Sequence, residues 1–415
     1  MADFAATPGD DLRRFVEEFV SFPTHGGNEA PAQDWFQSKL DAWGFETYRW
    51  EADPARLAAH PSFPGAPEKI PAAGRPSVGG VLELGTGEGP TLVLNGHCDV
   101  VPANEGDWTG DPFEPRWEGD RLTARGAADM KSGLAACVFA ARSLAAAGDL
   151  NGRVVVESVA GEEEGGLGAA AAALDNPYPF ERDAALVAEP TELRPVVASQ
   201  GSVMMRLELE GRSAHAATRW GGVDVLDRFE RIRRAFRDLE TERCERVTHP
   251  LYEDFPVAWP VVCGTVRAGE WASTVPASLV AEWRLGVAPG ETVAGVEAEF
   301  RDALAAVVAE DEWLREHPPV FERFSVQFEA SEISPEEPIV AAVDEAMSAH
   351  GLSGAPEGVT YGADARHYIE AGIPTVLFGP GSIEQAHFPD ETIDFREVET
   401  AAEVIADAAR AYLSK

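Results

Sequence analysis

Four short apolar runs in this chain each stop at a residue type that binds metal ions. TLVLNG runs to His97 and Asp99, RVVVESVAG to Glu162 and Glu163, DAALVAE to Glu189, and IPTVLFGPG leads on to His387. Val/Leu-rich runs of this length, bounded by Gly or Pro, read as strands covered on both faces of a parallel sheet, and ligands of such sheets collect at the strands' carboxyl ends. If the four strands are neighbours, two imidazoles and several carboxylates meet at one edge. Mixed nitrogen and oxygen donors of that kind suit a hydrolytic metal site.

Two kinds of sheet are written into the chain. Up to about residue 195, buried strands alternate with helices. Leu12, Phe15, Val16, Phe19 and Val20 recur at helical spacing after Asp10 and Asp11, which suit a cap; Trp35, Phe36, Leu40 and Trp43 mark a second helix, and residues 132–147 a third. Thereafter Val203, Met205, Leu207 and Leu209 alternate with Arg206, Glu208 and Glu210, and Leu279, Ala281, Trp283, Leu285 and Val287 alternate with Glu282 and Arg284. Period-2 alternation means one wet face. Helical runs through Leu226–Leu239 and Val293–Val307 separate such strands, which describes a small β-α-β-β-α-β domain. From Pro338 the helix and buried-strand alternation resumes, ending in the strand at Thr375 to Phe378. The expected organisation is therefore an α/β catalytic domain with a largely parallel central sheet (1–195 and 331–415), interrupted by a smaller α+β domain at 196–330. The Pro/Gly-rich stretch from His60 to Gly80 reads as a long surface excursion.

Composition narrows the partners. The longest apolar stretch, Leu134 to Ala141, is too short to cross a bilayer, and acids stand where a secretory signal would have bases, so a cytoplasmic protein with no membrane partner is expected. Cys98, Cys137, Cys244 and Cys263 have no C-x-x-C spacing, which fits free thiols and excludes zinc-finger chemistry. Cys98 sits between His97 and Asp99, where strand alternation turns it toward packing. The 71 acids against 34 bases leave a net charge of −37, far more than any metal site needs. Such a surface disfavours nucleic acid and fits a halophilic setting, where concentrated salt screens the self-repulsion.

Beyond the strand ends, GHCDVVP, DWTGDPFEP, RGAADMKSG, GEEEGGLGA, AEPTEL, GRSAHA, YGADAR and GPGSIEQAHFPDE follow one another between residues 96 and 391. In that order they resemble the metallohydrolase family of acetylornithine deacetylase, succinyl-diaminopimelate desuccinylase and the glutamate carboxypeptidases. The resemblance implies a zinc-peptidase-like catalytic domain with an inserted lid and dimerisation domain. It makes His97 and Glu189 ligands of one zinc, Glu163 and His387 ligands of a second, and Asp129 the carboxylate bridging both. Asp99 would orient the His97 imidazole, Glu162 would be the general base, and His215 would reach a partner subunit's active site to stabilise the oxyanion. The three acids Glu162 to Glu164 leave a second frame open, with Glu163 as base and Glu164 as ligand.

Each of these residues also has a plainer reading. Asp129 could cap the helix that starts near Ser132, Glu189 could be a solvated acid before Pro190, and His215 could be satisfied locally. Arg284 and Arg366 are candidates for a substrate carboxylate, because a guanidinium fork matches that group, or else for structural ion pairs. His25, His60, His249, His317, His350 and His367 lie outside the motifs and read as ordinary surface or core residues. Where relatives often have Asn-Glu this chain has Asp390 and Glu391, and in place of an Asn-Ala pair it has Asp224 and Val225. The expectation is a homodimeric enzyme with two zinc ions, cobalt or manganese being acceptable to the same donors, that hydrolyses the amide bond of an N-acyl amino acid or a similar small N-acyl amine. A dipeptidase or carboxypeptidase, and more remotely a metal-binding protein without turnover, are the alternatives.

Overall fold

The computed structural model describes residues 8–60, 63, 67–145 and 148–414. The chain divides into two compact units. One comprises Met1–Val197, Glu332–Glu357 and Ala363–Lys415, the other Ala198–Ser331 and Gly358–Gly362.

In the first unit, four strands lie side by side in the order Gly152–Val159, Thr91–His97, Ala184–Val187, Thr375–Leu377, all mutually parallel. These are the four apolar runs, and every residue of Thr91–His97 and Ala184–Val187 is buried, as a strand with both faces covered must be. The flanks depart from the parallel expectation. Pro76–Leu84 pairs antiparallel with Gly152–Val159, and Glu46–Glu51 pairs antiparallel with Pro76–Leu84.

The strand Pro76–Leu84 also corrects the reading of 60–80 as an excursion throughout. Its Gly79 and Gly80 are not loop signals: a side chain at Gly79 would run into the Tyr178 hydroxyl, and a Cβ at Gly80 would stand 2.7 Å from Leu40 Cδ1. Glycine in a strand here marks close approach of neighbours. Residues 61, 62 and 64–66 of that stretch lie outside the described residues.

Helix Phe395–Leu413 packs against Ser132–Leu144 and Pro338–Ala349, and Leu167–Leu174 packs against Ala365–Glu370. The first helix is described over Pro8–Val20, so Asp10 and Asp11 lie within it and not at its cap, while Leu12, Phe15, Val16, Phe19 and Val20 are buried as their spacing requires. The third helix is described over Ser132–Leu144; 146 and 147 lie outside the described residues. A polar knot interrupts the sheet core: Glu157, fully buried, receives Tyr178 Oη at 3.0 Å, Tyr368 Oη, and Asn95 Nδ2 at 3.3 Å.

The second unit runs β-α-β-β-α-β. Its antiparallel sheet has the order Val261–Ala268, Ser278–Val287, Gly201–Glu210, Val320–Phe328. The register sets Val203 opposite Leu285, Met205 opposite Trp283, Leu207 opposite Ala281 and Leu209 opposite Leu279, so the apolar members of both alternating strands share one face. Phe229, Ile232 and Phe236 of Val225–Arg246, and Val293, Val296, Phe300 and Leu304 of Val293–Ala309, cover that face. The sequence reading did not anticipate that Gly358–Gly362 joins this unit. Gln200 N donates to Val359 O at 2.9 Å, Ser199 Oγ to Tyr361 O at 2.8 Å, and the Phe328 ring lies over Gly362, 2.5 Å from where a Cβ would stand. Among the described residues no helix is long and apolar enough to cross a membrane.

Candidate metal centre

Because the four parallel strands are adjacent, their carboxyl ends deliver side chains to one edge. His97 closes its strand, is 1% exposed, and sets Nε2 3.0 Å from Asp129 Oδ1. Its Nδ1 lies 2.8 Å from the main-chain oxygen of Asp99, and the Asp99 carboxylate is farther off at 3.9 Å. The expected carboxylate brace on the imidazole is thus replaced by a carbonyl, which fixes the ring and tautomer equally well. The Asp99 carboxylate has other partners: Oδ1 accepts from Gly161 N at 2.7 Å and Glu162 N at 3.2 Å, and Oδ2 from Glu163 N at 3.1 Å. It ties the turn that carries both glutamates to the end of the neighbouring strand.

Two groups of donors result. One ligand atom from each of His97, Asp129 and Glu189 lies within 4.8 Å of the others, and the same holds for Asp129, Glu163 and His387. Asp129 belongs to both. His387, held at φ 64°, brings Nε2 within 3.1 Å of both Glu163 oxygens and 3.6 Å of Asp129 Oδ2. Glu164 takes no part; it pairs with Arg75, which also holds the fully buried Glu29 at 2.8 Å. The frame with Glu164 as ligand therefore has no geometric support. Arg75, in the stretch read as surface, was missed because its partners are distant in sequence.

The electrostatics are those of donors gathered without a counter-charge. Burial, and then neighbouring acids, push Glu162, Glu163 and Glu189 above the ordinary carboxylate range, Glu162 chiefly through burial and Asp364. Burial opposes protonation of His97, yet the Asp129 bond and the charges of Asp99 and Glu189 raise it well above the usual imidazole value. Each group offers one imidazole nitrogen and two carboxylates, a set that divalent zinc, cobalt or manganese accepts and whose negative charge such ions offset. The residues present fit a pair of cations sharing Asp129.

Two further acids were not singled out as site residues. Glu391, with no exposure, receives Ala128 N at 2.7 Å and Asp129 N at 3.1 Å on Oε1, and Gly126 N at 3.1 Å and Arg125 Nη1 at 2.8 Å on Oε2. It holds the turn that presents Asp129; the signal was an acid four residues after His387. Asp364, in YGADAR, is buried with neither carboxyl oxygen hydrogen-bonded to a described residue, and burial pushes it up to about 7.

The two arginines part company. Arg366 is 4% exposed and donates through Nη2 to Gly165 O at 2.6 Å and through Nη1 to Ala363 O at 3.4 Å. In place of an open fork, the structure presents a guanidinium engaged with main chain, so the substrate role expected of Arg366 is withdrawn. Arg284 lies in the second unit, donates to Thr360 O at 3.0 Å, and meets no carboxylate among the described residues; Glu282, its neighbour on the strand face, pairs with Arg206 at 2.9 Å. His215, also in that unit, is exposed, and its Nδ1 accepts from Ala217 N at 3.1 Å. The proton of the neutral ring then resides on Nε2.

Residues 93–411 match peptidase family M20/M25/M40. The acetylornithine deacetylase of Yersinia pseudotuberculosis serotype O:1b is 30% identical over 335 residues, 79% of this chain and 80% of that protein. Among solved structures, a dipeptidase from Saccharomyces cerevisiae superposes with a TM-score of 0.75 at 15% identity, covering 98% of both chains. A tripeptidase from Staphylococcus aureus superposes at 0.73 and 19% identity, over 98% of this chain and 99% of that one.

Proposed function

Because this chain belongs to peptidase family M20/M25/M40, a family of metal-dependent hydrolases whose centres are typically dinuclear, we propose that it hydrolyses the amide bond of an N-acyl amino acid or a similar small N-acyl amine. The observation that carries the reading is the sharing of Asp129 by two donor groups, with the buried carboxyl of Glu162 next to the Glu163 donor. A binding protein would have no use for that extra carboxyl, whereas amide hydrolysis needs a group that takes a proton from water and gives it to the departing amine.

In this reading His97, Asp129 and Glu189 hold one ion and Asp129, Glu163 and His387 the other. Zinc is our choice, with cobalt or manganese fitting the same donors. Bound ions polarise the scissile carbonyl and acidify water. Glu162, buried beside the Glu163 donor, accepts the water proton at its carboxylate and returns it to the amine nitrogen. His215 donates its Nε2 proton to the tetrahedral oxyanion, a role consistent with Nδ1 being occupied by Ala217 N. Arg284 takes a substrate carboxylate. The unit built on Ala198–Ser331 serves as lid and dimerisation domain, and we expect a cytoplasmic homodimer; a monomer by sedimentation would remove the pairing.

The 30% identity to an acetylornithine deacetylase over four-fifths of both chains favours the deacylase reading. A dipeptidase or carboxypeptidase is the second reading, favoured by the dipeptidase and tripeptidase among the structural neighbours. Zinc-loaded protein assayed against N-acetyl, N-succinyl and N-formyl amino acids beside a set of dipeptides separates the two. Turnover of dipeptides alone would replace the first reading by the second, and two bound ions with no turnover of either class would end both.

A further inference from the structure

A third group of donors lies outside the dinuclear centre. His60 and His367, which the sequence reading set aside as ordinary, gather with Glu370, one potential ligand atom of each lying within 4.8 Å of the others. His60 is 7% exposed and His367 1%, and their rings are 5.1 Å apart. His60 Nε2 stands 3.2 Å from Glu370 Oε2. His367 and Glu370 are three residues apart on the helix Ala365–Glu370 and so share a face, while His60 comes from the connection after the helix Pro54–Leu57. The three line an open cleft of about 700 Å³ together with Ala59, Ala173 and Leu174.

The chemistry of the two rings is that of donors. His367 Nε2 lies 3.2 Å from Gly165 O, an oxygen that can only accept, so the ring proton is on Nε2 and Nδ1 carries a lone pair. That Nδ1 is buried and has no hydrogen-bond partner among the described residues. A main-chain carbonyl on the far ring nitrogen is the usual brace of a ligating imidazole. Burial, with Arg366 next, holds His60 down at about 4 and His367 well below the ordinary value, so both rings are neutral at neutral pH and neither neutralises Glu370. The nitrogen-to-oxygen approach of His60 to Glu370 matches those of His97 to Asp129 and His387 to Glu163, at 3.0 and 3.1 Å.

We propose that His60, His367 and Glu370 form a separate mononuclear site for a divalent late transition ion, zinc or copper in preference to magnesium or calcium. Two imidazoles and one carboxylate select for such ions, because hard cations prefer all-oxygen shells. With one carboxylate and the Arg366 charge close by, this site is weaker than the dinuclear centre and fills after it. An ion there ties the connection carrying His60 to the helix carrying the other two ligands, so its effect is on stability and not on turnover. The inference does not depend on which amide the enzyme cleaves.

The test is equilibrium dialysis of the full chain against graded zinc in a large excess of magnesium, which occupies the oxygen-only sites of the acidic surface, with bound zinc measured by elemental analysis. Wild type should hold one zinc more than either Glu370→Gln or His60→Asn, and should show a zinc-dependent rise in melting temperature beyond that of the variants. All three proteins should share one circular dichroism spectrum. In the wild type loaded first at the dinuclear centre, added copper should give an electron paramagnetic resonance spectrum with coupling to two imidazole nitrogens, reduced to one in His60→Asn. Equal zinc stoichiometry in wild type and both variants, or copper coupling unchanged by His60→Asn, would overturn the proposal.

Discussion

Replacing Glu391 by Gln tests whether the Asp129 turn is held by a carboxylate and not merely by packing. The wild-type group receives four donors, two amides on Oε1 and an amide with the Arg125 guanidinium on Oε2. A glutamine keeps one oxygen, so whichever way the amide turns, two donors face an NH2 group. Hydrogen bonds to a charged acceptor are worth about 1.5–3 kcal/mol each, which puts the loss at roughly 3–6 kcal/mol. An independent route gives a similar figure: Arg125, 3% exposed, loses its counter-charge, and breaking a buried ion pair costs about 3–5 kcal/mol. Asp129 would also be less well aimed, so zinc affinity should fall by about 10- to 100-fold, as for other supports of a metal ligand. Urea unfolding followed by circular dichroism, with zinc and with chelator, reads the first quantity; competition with a coloured chelator reads the second. A stability loss under about 1 kcal/mol together with unchanged zinc affinity would refute the reasoning, since packing alone would then position the turn.

Glu162→Gln should retain both zinc ions and lose about 10²- to 10⁴-fold in kcat, and His215→Ala should likewise keep the metals and lose turnover; loss of one ion in Glu162→Gln would move the ligand frame. For the chelated protein, Glu162, Glu163 and Glu189 have folded-state values above 4.5, and His97 one above 6.5. These four groups make the folded state bind more protons than the unfolded one and outnumber His60 and His367, whose lowered values act in the opposite sense, so stability falls as pH rises from about 4.5 through neutrality. Zinc should abolish that slope, and melting curves of the chelated form that rise with pH over the same window would contradict the sign. Tyr368→Phe removes one donor from buried Glu157, leaving Tyr178 and Asn95, and should cost about 1.5–3 kcal/mol by urea titration, against no effect if a water substitutes. With a net charge of −37, the melting temperature should climb as salt is raised, because the screening length shrinks from about 10 Å at 0.1 M to about 3 Å at 1 M; a melting curve indifferent to salt would remove the halophilic reading.

Much of the architecture was legible because the hydrophobic period changes where the fold does. The runs ending at His97, Glu162 and Glu189 are buried on both faces and lie in parallel, whereas the residues from Val203 to Leu209 alternate and form an antiparallel strand with one wet face. The residues that gather at the strand ends were legible for the same reason at His97, Glu163 and Glu189, which sit at or just past the carboxyl ends of their strands, whereas Asp129 comes from the turn Ala127–Lys131 and His387 from the connection beyond Thr375–Leu377. Contacts between distant segments were not. Nothing local to Arg75 announces Glu29 and Glu164, nothing in Glu391 announces the amides of 126–129, and His60 lies more than 300 residues from His367. Arg366 was misjudged because a motif tells that an arginine is placed, but not that main-chain carbonyls already occupy it. The strand Pro76–Leu84 was hidden by glycines that are there for packing.

The short segment Gly358–Gly362 bears on any attempt to exchange the inserted portion of this chain for another. A single cut-and-paste of Ala198–Ser331 would leave behind Val359, Thr360 and Tyr361, whose carbonyls receive Gln200, Arg284 and Ser199. With Tyr252 Oη, which also donates to Val359 O at 2.9 Å, a swapped module would thus arrive with four donors lacking their acceptors, and transplanting it intact requires two pieces of sequence, not one.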